Sequence, residues 1–474
     1  MNLQRELRRL RKFYSLLLEF SPVTFHEQEV LGFLEESWRS WAQDYGLGRE
    51  SLSIRRLDGG LLVRYRGLPN IDRETVLMAH TDREGFVLGR AELDGSDTVL
   101  VGIVPGRSEV EEFRAGAAVR VLLPGGYAAG QLELADPQCD VGDLSGLGAP
   151  VRVRLPNAHW GAKELRAFHR RGEHLALYAF DPELQERRGE IESSCVDDYA
   201  GVVVVTECLR AAIEAASAHE DRVNLSVLYS RSEEGKYLGA IDTVLSEHDL
   251  VVNGDGVLWM IVDASDVGSA KAVDVRDVVW RTAEPGTGFT RRARPIAREA
   301  CVIRVQDANT RYDTSVALLS YQAALDIRGS GGISHDADSV VGWDYLGQAG
   351  AMTGGTCEGT VLGIAAALRR GAGVRGACST ARVGALALPM SDYRFRENRT
   401  EKVHVGSLVT ARVLANKIAQ LHTWYAYPRE PDTKLYWCSA EQKRAFSEDE
   451  RTDWVVERLL EYYDRAKQRL VRPA

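Results

Sequence analysis

Apolar side chains recur at three- and four-residue intervals near the start of the chain, where Leu3, Leu7, Leu10, Tyr14 and Leu17 fall on one side of a helix. That spacing predicts an amphipathic first helix docked on a domain. Basic residues precede this run as they would in a secretion signal, but Glu19 interrupts it and no small-residue cleavage site follows, so a signal peptide is not expected. From Leu61 onward, short β-rich runs alternate with helical patterns, and residues 75–79 (TVLMA) read as a buried strand. Between about 90 and 190 the texture changes: VLVGIV, AAVRVLL, YAAGQLEL, APVRVRL and LALYAF are short runs punctuated by Gly, Pro and Asp. They predict a small β-barrel or sandwich inserted into a host domain.

The host pattern resumes with a helix over about 198–216, strands at 225–230 and 258–263, helical stretches at 314–328 and 359–370, and a strand at 385–389. A last helix over about 405–424 carries Leu408, Ala411, Leu414, Ile418 and Leu421 on one face. Strands alternating with helices imply an α/β fold with a mostly parallel sheet flanked by helices. The expected division is a discontinuous host of 1–90 and 191–426, an insertion of 91–190, and an appendage of 427–474. In the appendage a turn-rich linker leads to a helix capped by Ser447 and Glu450. The strands of the insertion need partners for their edges, which predicts a homo-oligomer.

Composition narrows the partners. The 474 residues exceed what one hydrophobic core serves, and 45% apolar with 27% charged residues describes an ordinary globular chain. A net charge of -9 offers no basic footprint, so neither nucleic acid nor an anionic membrane is an expected partner. No apolar stretch is long enough to span a bilayer. The seven cysteines are scattered without CxxC spacing and read as reduced thiols of a cytoplasmic protein.

Four polar clusters fall at the carboxyl ends of expected strands or at a helix start: His80-Thr81-Asp82, Asp197-Asp198, Glu233-Glu234 and Asp263. In open α/β sheets the crevice beyond the strands' carboxyl ends is where ligands bind. Histidine and carboxylate suit a borderline divalent metal such as zinc or cobalt, and one carboxylate can bridge two ions. Adjacent glutamates allow one to ligate while the other takes a proton from a metal-bound water. His335 beside Asp336 and Asp338 looks similar but reads as a polar loop.

In this order and strand context, HTDREG, CVDDYAG, SEEGKYLGA and IVDAS resemble the tetrahedral (TET), or glutamyl, aminopeptidases, a family of dinuclear metallo-aminopeptidases. The resemblance covers roughly residues 5–425, including the β-rich insertion, which in that family mediates dimer contacts. It implies that His80 and Asp263 hold one metal ion, Asp197 bridges, Glu234 ligates a second ion, Glu233 is the general base and Asp82 orients His80. It also implies a cis peptide between Asp197 and Asp198, peptides or small amides as substrates, one or two zinc or cobalt ions per chain, and a homo-oligomer from dimer to dodecamer. Gly354-Gly355-Thr356-Cys357-Glu358 matches the family's glycine-rich loop near the substrate pocket, with Cys357 where an aspartate is common.

The chain also departs from the pattern. Arg83 replaces a family glutamate, Tyr199 replaces an arginine, and Arg394 stands where the family has its last histidine ligand. An arginine stays protonated and cannot ligate, which leaves the second ion with Asp197 and Glu234. His404 is the nearest other histidine and aligns with a helix entry. Three readings follow: an amino-terminal exopeptidase, a catalytically silent binding or assembly module, and an enzyme for an unusual amide in which Arg394 binds a substrate carboxylate. Retention of Glu233, which a silent scaffold has no need of, favours hydrolysis.

Overall fold

The structure is a computed structural model, and the residues it describes are 3–20, 23–105, 115–123, 126–135, 138–156, 161–170, 174–178, 185–187, 189–193, 195–216, 222–234, 237–247, 250, 256–266, 271–273, 298–306, 312, 314–329, 349–351, 358–359, 362, 382–391 and 401–424. Arg394, Thr356, Cys357, His335, most of the 359–370 stretch and the whole of 427–474 lie outside them.

The chain opens with helices α1 (Leu3–Leu17) and α2 (Gln28–Asp44), then strands β1 (Leu52–Leu57), β2 (Gly60–Arg66) and β3 (Glu74–His80). On α1 the spaced residues Leu7, Leu10, Tyr14 and Leu17 are buried, as their periodicity requires. Six strands then close a barrel: β4 (Phe86–Asp94), β5 (Asp97–Pro105), β6 (Ala118–Leu123), β7 (Gly126–Leu134), β8 (Gly148–Leu155) and β9 (His174–Tyr178), with α3 (Ala162–Arg170) between the last two. All its pairings are antiparallel, in the order β4-β5-β8-β7-β6-β9. Phe86, Leu88, Leu100, Val119, Val121, Leu132, Val151 and Val153 form its own core. Closure leaves no free sheet edge, so the expectation that the insertion's strands need partners for their edges is not met: they pair with one another.

Strands β10 (Gln185–Arg187) and β11 (Glu190–Ser193) return the chain to the main sheet. There follow α4 (Val196–Ala215), β12 (Asn224–Ser230), α5 (Leu238–Ser246), β13 (Val257–Asp266), β14 (Lys271–Val273), β15 (Val302–Gln306), α6 (Thr314–Gly329), β16 (Ala349–Ala351), β17 (Arg382–Ser391), β18 (Glu401–His404) and α7 (Val405–Trp424). The sheet is mixed at its margins, but its centre, β12-β3-β13-β17, is parallel throughout.

The near-continuous apolar runs of these strands follow from cover on both faces. Leu77 and Ala79 of β3, Val227 and Tyr229 of β12, and Met260 and Val262 of β13 join a core with α1, α2, α4, α6 and α7. Val76 and Met78, Leu228, and Trp259 and Ile261 point into a second core on the other side. Among the described residues no helix is long and apolar enough to cross a membrane. Parallel register aligns the strand ends: His80 lies opposite Ser230, and Asp263, near the end of β13, lies opposite Ala387.

Candidate active site

Three of the four expected clusters lie at or just past the carboxyl ends of the central strands, and the start of α4 brings the fourth to them. His80 ends β3 with 2% of its surface exposed. Its Nε2 is 3.0 Å from an Asp197 carboxylate oxygen, and its Nδ1 is 3.0 Å from the Asp82 carbonyl and 3.4 Å from the Asp82 carboxylate. The first residues of α4 are not helical: Asp197 and Asp198 depart from helical backbone angles and are joined by a cis peptide. With those non-helical angles the Asp197 carboxylate meets His80 and the Asp198 carboxylate faces His80 and Asp263. Glu401 of β18 holds the turn, one carboxylate oxygen accepting the N–H groups of Val196 at 2.8 Å and Asp197 at 3.1 Å. Burial pushes the Glu401 carboxyl up to about 6, against the pull of those N–H groups and of Arg83.

His80, Asp198 and Asp263 each bring a ligand atom to within 4.8 Å of the others. The sequence reading placed Asp197, not Asp198, among the ligands; Asp197 reaches the group through the His80 ring, and Asp198 lies inside it. One oxygen of Asp198 accepts N–H groups from Gly201 at 2.9 Å and Ala264 at 3.2 Å, and the other, buried, has no hydrogen-bond partner among the described residues. Gly201 is required here, because a Cβ would come within 2.2 Å of the Asp198 carboxylate. Glu358, 1% exposed, accepts from the Ser230 hydroxyl at 2.7 Å through one oxygen, and its other oxygen is likewise without a partner.

The electrostatics of the cluster favour a cation. Burial raises the Asp197, Asp198, Glu233 and Glu358 carboxyls; His80 opposes each rise and their like-charged neighbours add to it. Burial alone would lower His80, but its hydrogen bonds to Asp197 and Asp82 and the Glu233 charge carry it well above its usual value. An imidazole, two convergent carboxylates and the unpartnered buried oxygen of Asp198 form a donor set that fits a divalent ion of the zinc or cobalt class.

The loop after β12 is tied down by two buried carboxylates. Asp82 accepts the N–H of Glu233 at 2.8 Å with one oxygen, and with the other the N–H of Glu234 at 3.1 Å and the Thr24 hydroxyl at 3.0 Å. Glu27, a residue the sequence reading did not single out, accepts the N–H and hydroxyl of Ser232 at 3.0 and 3.1 Å and the N–H of Phe25 at 2.9 Å. Three successive amides, from Ser232 to Glu234, are thus fixed, two of them by the aspartate whose carbonyl also faces His80. Besides facing His80 through its carbonyl, Asp82 anchors through its carboxylate the backbone of Glu233 and Glu234. Asp82→Ala leaves two backbone donors unmatched, while the Thr24 hydroxyl keeps its bond to the Arg83 carbonyl at 3.3 Å, so we expect a loss of about 3 kcal/mol in unfolding free energy. Denaturant unfolding measures it, and an unchanged midpoint would show that the loop holds itself.

Asp263 is paired as well: Arg304 donates to one of its oxygens at 2.6 Å and the Ser265 hydroxyl to the same oxygen at 3.1 Å. The sequence reading passed over Arg304, though an arginine in the otherwise apolar run CVIRV is a signal of a paired buried charge. His404 lies elsewhere. It closes β18, its Nδ1 accepts the Gly406 N–H at 3.1 Å, and the charges that bear on it are Glu299, Glu190, Arg298 and Glu186.

No protein-family model matches the sequence, and no curated protein matches it. Solved structures do match. An aminopeptidase from the archaeon Desulfurococcus kamchatkensis superposes with a TM-score of 0.57 at 16% identity, over 89% of this chain and 96% of that one. A TET aminopeptidase from the marine sediment archaeon Thaumarchaeota archaeon SCGC AB-539-E09 gives 0.58 at 12% identity, over 88% and 97%. The Pyrococcus horikoshii TET1 peptidase, which can assemble into a tetrahedron or a large octahedral shell, gives 0.51 at 15% identity, over 87% and 98%. The chain therefore has the fold of the TET aminopeptidases, a mostly parallel sheet flanked by helices with a separate closed barrel.

Proposed function

We propose that this chain is a divergent member of the TET aminopeptidases, a metal-dependent peptidase that removes amino-terminal residues from peptides or small amides. The observation that carries the reading is the loop after β12, where Glu233 and Glu234 are held by Asp82 beside His80. In this reading the backbone that carries a base and a ligand carboxylate is anchored by the residue whose carbonyl faces His80. In this reading His80 and Asp263 hold one ion, Asp197 lies toward any second, and Glu234 would ligate that second ion. Asp198, with its unpartnered oxygen, is an alternative donor to the first. Arg394, Thr356 and Cys357 are assigned to the substrate side on the sequence resemblance.

A divalent ion held by these residues would supply Lewis-acid polarisation of a carbonyl and a more acidic water. Glu233 takes the proton of the attacking water and returns it to the leaving amine. Its burial and its acidic neighbours hold its proton affinity above that of an ordinary glutamate, which suits a group that must both accept and donate near neutrality. Asp82 and Glu27 keep the loop from turning away, and Glu401 keeps Asp197 aimed inward. The assembly part rests on the likeness to the Pyrococcus horikoshii TET1 peptidase, which can assemble into a tetrahedron or a large octahedral shell.

The test is hydrolysis of a panel of aminoacyl nitroanilides by protein prepared with zinc or cobalt, beside the same compounds N-acetylated. Turnover confined to free amino termini and abolished by a chelator is expected, with sedimentation showing more than one chain per particle. No hydrolysis of any free-amino substrate by metal-loaded protein would overturn the reading, and a monomer at micromolar concentration would remove the assembly part of it.

A further inference from the structure

Arg304 reaches the cluster from β15, two strands away from β13 across β17. In register Arg304 lies beside Ala385 and Val302 beside Ala387, and Ala387 lies beside Asp263. Cys301 and Ile303 belong to the large core on one face of the sheet, so alternation sends Arg304 to the other face. There it is 3% exposed, with Nη1 2.6 Å from an Asp263 oxygen. A buried guanidinium is costly unless its charge is met, so this is a committed ion pair, unlike a surface contact. The oxygen that Arg304 occupies also accepts from Ser265, which leaves Asp263 one oxygen for any other partner.

We propose that the centre takes one divalent ion per chain, and that the guanidinium of Arg304 supplies the fixed positive charge that a second ion would otherwise bring. The proposal rests on the metallopeptidase reading and deepens it. Two independent observations support it. The first is the ion pair itself: a full positive charge sits on a carboxylate expected to ligate, and it repels further cations. The second is the ligand supply. Of the ligands that the resemblance implies, Asp197 and Glu234 are left for a second ion, position 394 is an arginine, and His404 accepts the Gly406 N–H and feels the charges of Glu299, Glu190, Arg298 and Glu186. One divalent ion and one guanidinium then set three positive charges against the acidic groups of the cluster.

The experiment counts metal. Protein stripped with a chelator is titrated with zinc, and separately with cobalt, followed by calorimetry and by elemental analysis after gel filtration. One ion per chain is expected. Arg304→Met keeps the apolar stem and removes the charge, and it should bind that ion about tenfold more tightly or better, because a like charge is gone and Asp263 is released. Arg304→Lys keeps the charge and should stay within a few-fold of the unaltered protein at one ion, which also covers the case in which the methionine variant does not fold. Two ions per chain in the unaltered protein would overturn the inference and leave the metallopeptidase reading standing. No ion at all would overturn both. Weaker binding in Arg304→Met with normal binding in Arg304→Lys would make Arg304 an orienting group for Asp263 and would also overturn it.

Discussion

Glu233→Gln is expected to lower kcat by about 10²–10⁴-fold while the metal content of the protein stays unchanged. Glutamine has the shape of glutamate and can stay on the loop, since the bonds that fix the loop come from Asp82 to the backbone N–H groups and not to the side chain. What it loses is the ability to take a proton. The pH profile adds a second readout. Burial raises the Glu233 carboxyl, His80 pulls it down, and Glu234, Glu358 and Asp197 push it up again. The base works only when ionised, so turnover should fall as pH drops through a value above the ordinary glutamate range. That acid limb should be missing from whatever activity Glu233→Gln retains. Equal kcat in the two proteins, or the same acid limb in both, would remove Glu233 from the role of base.

The central strands were legible because burial on both faces writes itself as an unbroken apolar run, as in residues 75–79 and 225–230. Their carboxyl ends marked the site for the same reason, since polar residues at the end of such a run must face a crevice. The helix boundaries at 314 and 405 were equally plain. Strand β4 was missed: its pairing with β5 shifts register between Leu88 and Arg90, and its outer half, Arg90 to Asp94, shows no buried apolar run. Glu27 and Arg304 were invisible for a different reason. Glu27 opens α2 in a stretch that reads as an ordinary acidic helix start, and its significance lies in Ser232, 205 positions away. Arg304 sits in a five-residue strand, and its partner is 41 positions earlier on a strand it does not directly adjoin. Local pattern reports which face a residue takes, and it is silent about which distant carboxylate that face will meet. Asp198 shows the same limit: adjacency to Asp197 drew attention to the pair, but only the backbone turn at the start of α4 decides that both carboxylates reach the cluster.

Removal of divalent metal should cost the protein stability, and the cost should grow with pH. An ion that binds only the folded state stabilises it by RT ln(1 + [L]/Kd), about 4 kcal/mol at a thousand-fold excess over Kd. The sign of the pH dependence follows from the acidic cluster. Asp197, Asp198, Glu233 and Glu358 are all raised in the folded protein, first by burial and then by one another. Groups raised on folding contribute stability that is fully present below their unfolded values and lost as pH rises through the folded ones. The raised His80 adds to the loss in the same direction. Metal-free protein should therefore weaken from the ordinary carboxylate range upward, as charges that nothing neutralises accumulate in a buried space. In loaded protein the ion meets those charges, and its own binding strengthens as the ligands lose their protons. Thermal unfolding of chelated and zinc-loaded protein at about pH 5, 6.5 and 8 should show midpoints that diverge with rising pH. His80→Ala, which takes the imidazole out of the cluster, should bring the two curves together. Midpoints that coincide at the highest pH, or a gap that narrows as pH rises, would mean that the cluster holds no ion and that its carboxylates are neutralised from within the chain.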